Sequence, residues 1–168
     1  NAGTNNPNSK NIFSIEETEQ IFKINFFGTL NCLHALLPFL KKKNKSQVIF
    51  MSSVAGYRGL PYAAAYCSSK SAITTFAESI YNQCKNLGIA IRVINPGFVK
   101  TPLTDKNKFK MPMIIPVEKA ADIMYKKIVF SKKFEINCPW LFCFIMKILR
   151  VLPNSLYFSL TQLLIKRL

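Results

Sequence analysis

Acidic residues are scarce in this chain: eight Asp and Glu stand against 23 Lys and Arg in 168 residues, a formal charge of +15. Such an excess attracts anions, whether a dinucleotide, a phosphorylated substrate, an anionic membrane surface or nucleic acid, and by itself does not choose among them. Nucleic acid has no support in pattern, because the basic residues are scattered or sit near the apolar tail, and no helix-turn-helix, zinc-finger or RNA-binding signature occurs. Histidine is nearly missing; the single His34 lies in a helical apolar pattern and reads as a packed side chain, neither ligand nor base. The cysteines, Cys32, Cys67, Cys84, Cys138 and Cys143, lack paired metal-ligand spacings, so no metal site is expected. They read as reduced thiols of a cytoplasmic protein. No uninterrupted apolar stretch approaches the roughly 20 residues that a spanning helix needs. The chain also lacks an initiator Met and a signal-peptide pattern, opens on Asn1 inside a motif, and reads as a fragment.

What is present suits one folded domain: 49% of residues are hydrophobic and 18% charged. Ser14, with Glu17 three residues on, opens a helical pattern that runs to about Leu40, with Pro38 expected to loosen its last turn. Gln47 to Ser52 is a short apolar run, the mark of a parallel strand buried on both faces. A helix is predicted from about Tyr62 to Leu87 with Gly88 as its stop, then a strand at Ile89 to Ile94. Strand, helix, strand with short connections is a right-handed crossover, so an α/β parallel sheet follows from pattern. Residues 101 to 115 have no clear period and suit a segment over a cleft, a helix follows from Pro116 to about Phe130, and Lys133 to Ile136 reads as a short edge strand.

Tyr66 and Lys70 are four apart, one turn above each other on a helix. A phenol titrates near ~10 and a Lys near ~10.4, and a fixed positive charge beside the phenol favours its phenolate. On that argument Lys70 should lower the Tyr66 pKa toward a range useful for proton exchange. Ser53, at the end of the apolar run, would bring a hydroxyl to the same place. Each residue alone also has a plain structural reading: a packed aromatic, a strand-end cap, a mid-helix amide for Asn25.

Taken together, the order and spacing of Asn1-Ala2-Gly3, Asn25, Ser53 in Val-Ile-Phe-Met-Ser-Ser-Val-Ala-Gly, Tyr66-x-x-x-Lys70 and Asn95-Pro96-Gly97-Phe98-Val99-Lys100-Thr101-Pro102 resemble the short-chain dehydrogenase/reductase family from residue 1 to about residue 130. The resemblance implies a Rossmann-like, doubly wound parallel sheet of α/β class, truncated in its N-terminal half and followed by a helical tail. It implies NAD or NADP as cofactor and a small carbonyl or alcohol substrate. Tyr66 would be the general acid/base, Lys70 would lower its pKa and bind the nicotinamide ribose, and Ser53 would hold the substrate oxygen. Asn25 would keep a kink in its helix and bind, through its backbone carbonyl, a water leading to Lys70. Asn1, Ala2, Gly3, Pro96, Gly97, Val99 and Thr101 would touch the cofactor. The family's Gly-rich pyrophosphate turn, Gly-x-x-x-Gly-x-Gly, does not occur in these residues, and with it the signal separating NAD from NADP.

The division expected is a catalytic part at 1–138 and a helical tail at 139–168, with helices at about 140 to 151 and 154 to 166. The tail's Leu, Phe, Tyr and Trp with flanking Lys and Arg suit an amphipathic segment on an anionic membrane surface, and equally a cap on the domain or an oligomer contact. The Phe-, Met- and Leu-bearing stretch at 109–115 and the tail suggest an apolar substrate. The resemblance implies a homodimer or homotetramer of the complete protein. Two function classes stay open on sequence: a hydride-transferring oxidoreductase, and a non-catalytic remnant serving as an oligomerisation or membrane-surface module.

Overall fold

The structure, a computed structural model, describes residues 3–6, 12–107 and 111–165. Ser14 is extended and its hydroxyl accepts the Glu17 N–H at 3.2 Å, starting α1 (Ile15–Phe22). The helix widens into a π-helical turn at Lys23–Phe27 and continues as α2 (Gly28–Lys41), with Pro38 inside it. The expected single helix is therefore present with one wide turn in its middle, which places Asn25 at the irregularity. No residue of α2 is buried, and His34 is exposed, against the expectation that it packs. The reason is tertiary: α2 turns Leu33, Leu37 and Leu40 onto the sheet core, while Leu36 and Phe39 are exposed and His34 with them.

β1 (Ser46–Met51), α3 (Ala64–Asn86) and β2 (Ile89–Pro96) form the crossover unit, with Ser46 opposite Ile89 and Met51 opposite Ile94 in a parallel ladder. Gly88 ends α3 at φ 73°, a conformation that favours glycine. After α4 (Val117–Phe130), β3 (Glu135–Cys138) pairs parallel to β2 from Val93 opposite Glu135, so the sheet order is β1-β2-β3. The centre of the sheet is dry: Ile89, Ile91 and Val93 pack on Ile73, Ala77 and Phe50, with Phe76 meeting Phe50 and Phe26 edge-on. β1 departs from the expected two-sided burial, since Phe50 alone of its residues is buried and no described strand pairs with its outer edge. Arg92 is a charged residue in the buried strand, and it is satisfied there by the carbonyls of Lys127, Ile128 and Lys133, closing the end of α4.

The tail, α5 (Trp140–Val151) and α6 (Asn154–Ile165), docks on the domain. Phe142, Cys143 and Met146 pack against Val54 and Tyr57 in a second apolar cluster. Arg58 fastens the joint between the two helices by donating to the carbonyls of Leu149, Arg150 and Leu152 at 2.7–2.9 Å and to Asn154 Oδ1 at 2.6 Å. Its guanidinium also lies 4.0 Å above the Tyr157 ring. The inner face of the tail is thus a cap on the loop that follows β1, and the carbonyls left open at the end of α5 find a charged donor.

Candidate active site

The carboxyl end of β1 presents two consecutive hydroxyls, which alternate in direction as strand residues must. Ser52 is buried and donates to the Lys70 carbonyl at 2.9 Å, with Thr74 Oγ1 at 2.8 Å, locking the strand end to α3. Ser53 lies 3.4 Å from the Pro96 carbonyl and accepts the Ala55 N–H at 3.2 Å, so it also caps the short 3-10 turn Val54–Gly56. The plain role of Ser53 as a cap and its place beside Tyr66 coexist, because its hydroxyl also acts on the Tyr66 phenol, favouring the charged form. Gly56 permits this geometry: a Cβ there would stand 3.0 Å from the Lys70 carbonyl carbon and 3.1 Å from Ser52 Oγ.

On α3, the Lys70 ammonium lies 5.8 Å from the Tyr66 ring centre and donates to the Met51 carbonyl at 3.0 Å. Lys70 is 5% exposed, and burial pulls its ammonium down to about 8. Burial also pushes the Tyr66 phenol up, while its hydrogen bond with Ser53 acts in the opposite sense and the nearby Cys67 adds to the rise. This corrects the expectation that Lys70 brings the Tyr66 pKa down. Desolvation disfavours both charged forms at once, and it dominates the balance at Tyr66.

Segments remote in sequence complete the cluster. Asn25 is 1% exposed, donates to the Thr4 carbonyl and Ser69 Oγ at 3.0 Å each, and accepts the Thr4 N–H at 2.8 Å. Ser69 in turn donates to the Tyr66 carbonyl at 2.8 Å. Asn25 therefore joins the segment at 3–6 to the turn of α3 that carries Tyr66 and Lys70 through its side chain, whereas its backbone carbonyl accepts the Thr29 hydroxyl at 2.7 Å. Gly3 closes the group: a Cβ on it would stand 3.7 Å from Asn25 Oδ1 and 4.0 Å from Lys70 Nζ. Asn1 and Ala2 lie outside the described residues.

The structure thus brings Gly3, Asn25, Ser53, Tyr66, Lys70 and Pro96 to one place. Val99 and Thr101 serve a neighbouring loop: Val99 bridges to Ile115, and the Thr101 carbonyl accepts the N–H groups of Thr104 and Asp105. Ser52, Ser69, Thr74 and Gly56 were not singled out from sequence. Their signal was available, since each is a small or hydroxylic residue interrupting an apolar face beside Ser53 or Lys70.

A concavity of about 320 Å³ opens on the Tyr66 side and is lined by Ile12, Phe13, Ile21, Pro61, Tyr62 and Tyr66 among others. A larger one of about 830 Å³ lies across α3, against Phe26, Cys67, Ser71 and Phe76, and holds none of Ser53, Tyr66 or Lys70. Size does not mark the chemistry here; the position of the titratable groups does.

A family model described as short chain dehydrogenase matches residues 1–111. The chain belongs to that family. An uncharacterized oxidoreductase of Myxococcus xanthus is 34% identical over 94% of this chain and 62% of its own length. A 3-ketodihydrosphingosine reductase of Bacteroides thetaiotaomicron is 28% identical over 82% of this chain and 51% of its own length. A short chain dehydrogenase from Burkholderia cenocepacia, solved in complex with NADP, superposes with a TM-score of 0.74 at 23% identity, over 87% of this chain and 61% of that one. The fold is therefore the Rossmann-like α/β fold of the short-chain dehydrogenases. The chain spans less than two-thirds of the length of these relatives.

The residues present fit the nicotinamide-ribose end of a dinucleotide. Lys70 Nζ has three protons and one acceptor, the Met51 carbonyl, among the described residues, which leaves donors for ribose hydroxyls. Gly97 also has a reason for its identity within the chain itself. Its N–H donates to the Cys138 carbonyl at 2.7 Å, and a Cβ on it would stand 2.5 Å from Phe142 Cδ1. Gly97→Ala is accordingly expected to destabilise the chain by about 1–3 kcal/mol through overpacking against α5. Urea unfolding of Gly97→Ala, Phe142→Leu and the pair would measure it; additive costs, with no relief in the double variant, would show that the two sites are not in contact.

Proposed function

We propose that the complete protein is an NAD(P)-dependent oxidoreductase that interconverts a ketone or aldehyde with an alcohol, with Tyr66 as acid/base. The observation that carries this reading is the grouping of a phenol, a hydroxyl and a buried ammonium: the Ser53 hydroxyl lies near enough to Tyr66 to act on its phenol, and Lys70 lies 5.8 Å from the Tyr66 ring centre with a pKa of about 8. The bound nicotinamide supplies the hydride. Ser53 then orients the carbonyl oxygen as a hydrogen-bond donor, and Tyr66 gives that oxygen its proton. Loss of the proton leaves a phenolate in a dry site, which the Lys70 ammonium stabilises far better than it would in water. A Lys group near 8 can also return a proton to Tyr66 at neutral pH, because its acid strength is matched to the medium. Asn25 ties the segment at 3–6 to the Tyr66 turn of α3 through Thr4 and Ser69.

The substrate class we assign is an apolar carbonyl compound. Ile12, Phe13, Ile21 and Tyr62 give the concavity beside Tyr66 an apolar side, with Asn5, Asn6, Ser14, Glu17 and Thr18 also on its wall, and one relative is named a 3-ketodihydrosphingosine reductase. The test is a series of aliphatic ketones of increasing chain length with NADH and NADPH, using the complete protein. kcat/KM is expected to rise with each added methylene by roughly two- to fourfold until the concavity is filled, as ~0.8 kcal/mol per buried CH₂ predicts. Turnover of short polar carbonyls in preference to long ones would overturn the substrate class, and absence of turnover with every carbonyl and both nucleotides would overturn the oxidoreductase reading.

A further inference from the structure

α5 is apolar but for Lys147 and Arg150, yet only one side is covered. Phe142, Cys143 and Met146 face the domain, while Trp140, Phe144, Ile148 and Val151 on the opposite side are 46–78% exposed. α6 repeats the arrangement with Tyr157 inside and Leu156, Phe158 and Leu163 more than half exposed. A helix that is hydrophobic on opposite sides belongs in a protein interior or against lipid, so the outer face calls for a second cover.

Charge selects the cover. From Ile136 to Leu168 the sequence contains Lys147, Arg150, Lys166 and Arg167 and no Asp or Glu. Arg150 is exposed, and among the described residues no carboxylate pairs with its side chain. Glu135, just ahead of this stretch, is already paired with Lys147, so a second copy on this face would offer Arg150 no free carboxylate from the tail, on chains that each carry +15. A bilayer with anionic headgroups supplies both missing components, hydrocarbon for the apolar side chains and negative charge for the basic ones. Geometry excludes a spanning mode, because no described helix is long and apolar enough to cross. A helix of 12 residues is about 18 Å long, and it can lie in the interface plane with Trp140 at headgroup level.

We propose that the outer face of α5, continued by α6, docks the protein on an anionic lipid surface. The inner face of the same helix holds Phe142 against Gly97, so docking sets the bilayer one helix away from the strand end that carries Pro96. The inference is independent of the redox chemistry above.

The chain carries one Trp, and it stands on the proposed face, so Trp140 reports contact directly. The experiment adds phosphatidylcholine vesicles, with and without phosphatidylserine, to the full chain. With phosphatidylserine, Trp140 emission is expected to move to the blue and lose access to iodide, and high salt should reverse the change. The Phe144→Ser/Ile148→Ser variant, whose altered side chains face solvent, should keep its thermal midpoint and lose about tenfold or more in vesicle affinity. Unshifted Trp140 emission on phosphatidylserine vesicles would overturn the proposal even if the chain co-sediments with them, since adsorption would then run through other basic residues. A blue, concentration-dependent emission without lipid would also overturn it, by showing that another copy covers the face.

Discussion

Tyr66→Phe in the complete protein is expected to lower kcat for carbonyl reduction by about 100- to 10,000-fold, the usual contribution of a positioned acid. The substitution removes one oxygen from a ring that stays packed, so nucleotide affinity and stability should change little. The two readings of Tyr66 separate on this point: a merely packed aromatic would tolerate the loss of its hydroxyl. Burial keeps the phenol above its ordinary value, so the parent protein holds it protonated at neutral pH, the form the proposed proton donation requires in the reducing direction. Oxidation of the alcohol should accordingly accelerate as pH rises, while reduction should not. Carbonyl-dependent consumption of NAD(P)H that survives Tyr66→Phe unchanged would remove Tyr66 from the reaction.

Lys70→Met is expected to separate stability from activity. In the folded chain Lys70 titrates at about 8, below the ~10.4 of an unfolded Lys. Between those values the unfolded chain binds more protons, so the Lys70 contribution to stability rises as pH climbs from about 8 toward ~10.4. Below pH 8 both states are protonated and the burial cost is constant, on the order of 3 kcal/mol. Met fills similar volume without the charge and loses only the bond to the Met51 carbonyl, worth about 1–2 kcal/mol. The variant should therefore be more stable than the parent by about 1–2 kcal/mol at pH 7, with the difference falling to zero or reversing near pH 10.5, while turnover drops at least tenfold. Urea unfolding at the two pH values checks it. A variant that is less stable than the parent at pH 7 would mean that the ammonium is better solvated than its 5% exposure implies.

Much of the scaffold could be read from local pattern because its signals are local. Ser14 as a cap, Gly88 as a stop, the apolar run of β1 and the helices on either side of Pro153 all follow from residues within a turn or two of one another. The Tyr66 and Lys70 pair is legible for the same reason, since four residues on a helix make one face. The misreadings share a cause as well. His34 and β1 carry apolar patterns that predict burial, but burial depends on what lies opposite: α2 gives Leu33, Leu37 and Leu40 to the core and leaves His34 exposed, and no described strand pairs with the outer edge of β1.

The amino-acid sequence by itself determined the α/β order of elements, the membership of the family and the residue types available for proton transfer. Those properties reside in spacing and side-chain chemistry, which short stretches carry whole. Tertiary structure alone decided the rest: Gly3 comes beside Lys70 across 67 residues, Asn25 bonds Ser69 across 44, and Arg58 fastens helices more than 90 residues away. It also decided the electrostatics, since desolvation at Lys70 and Tyr66 depends on the strand ends and turns packed around them. Opposite-signed effects on one phenol, burial raising its pKa and hydrogen bonding lowering it, can be ranked only once the surroundings are in place.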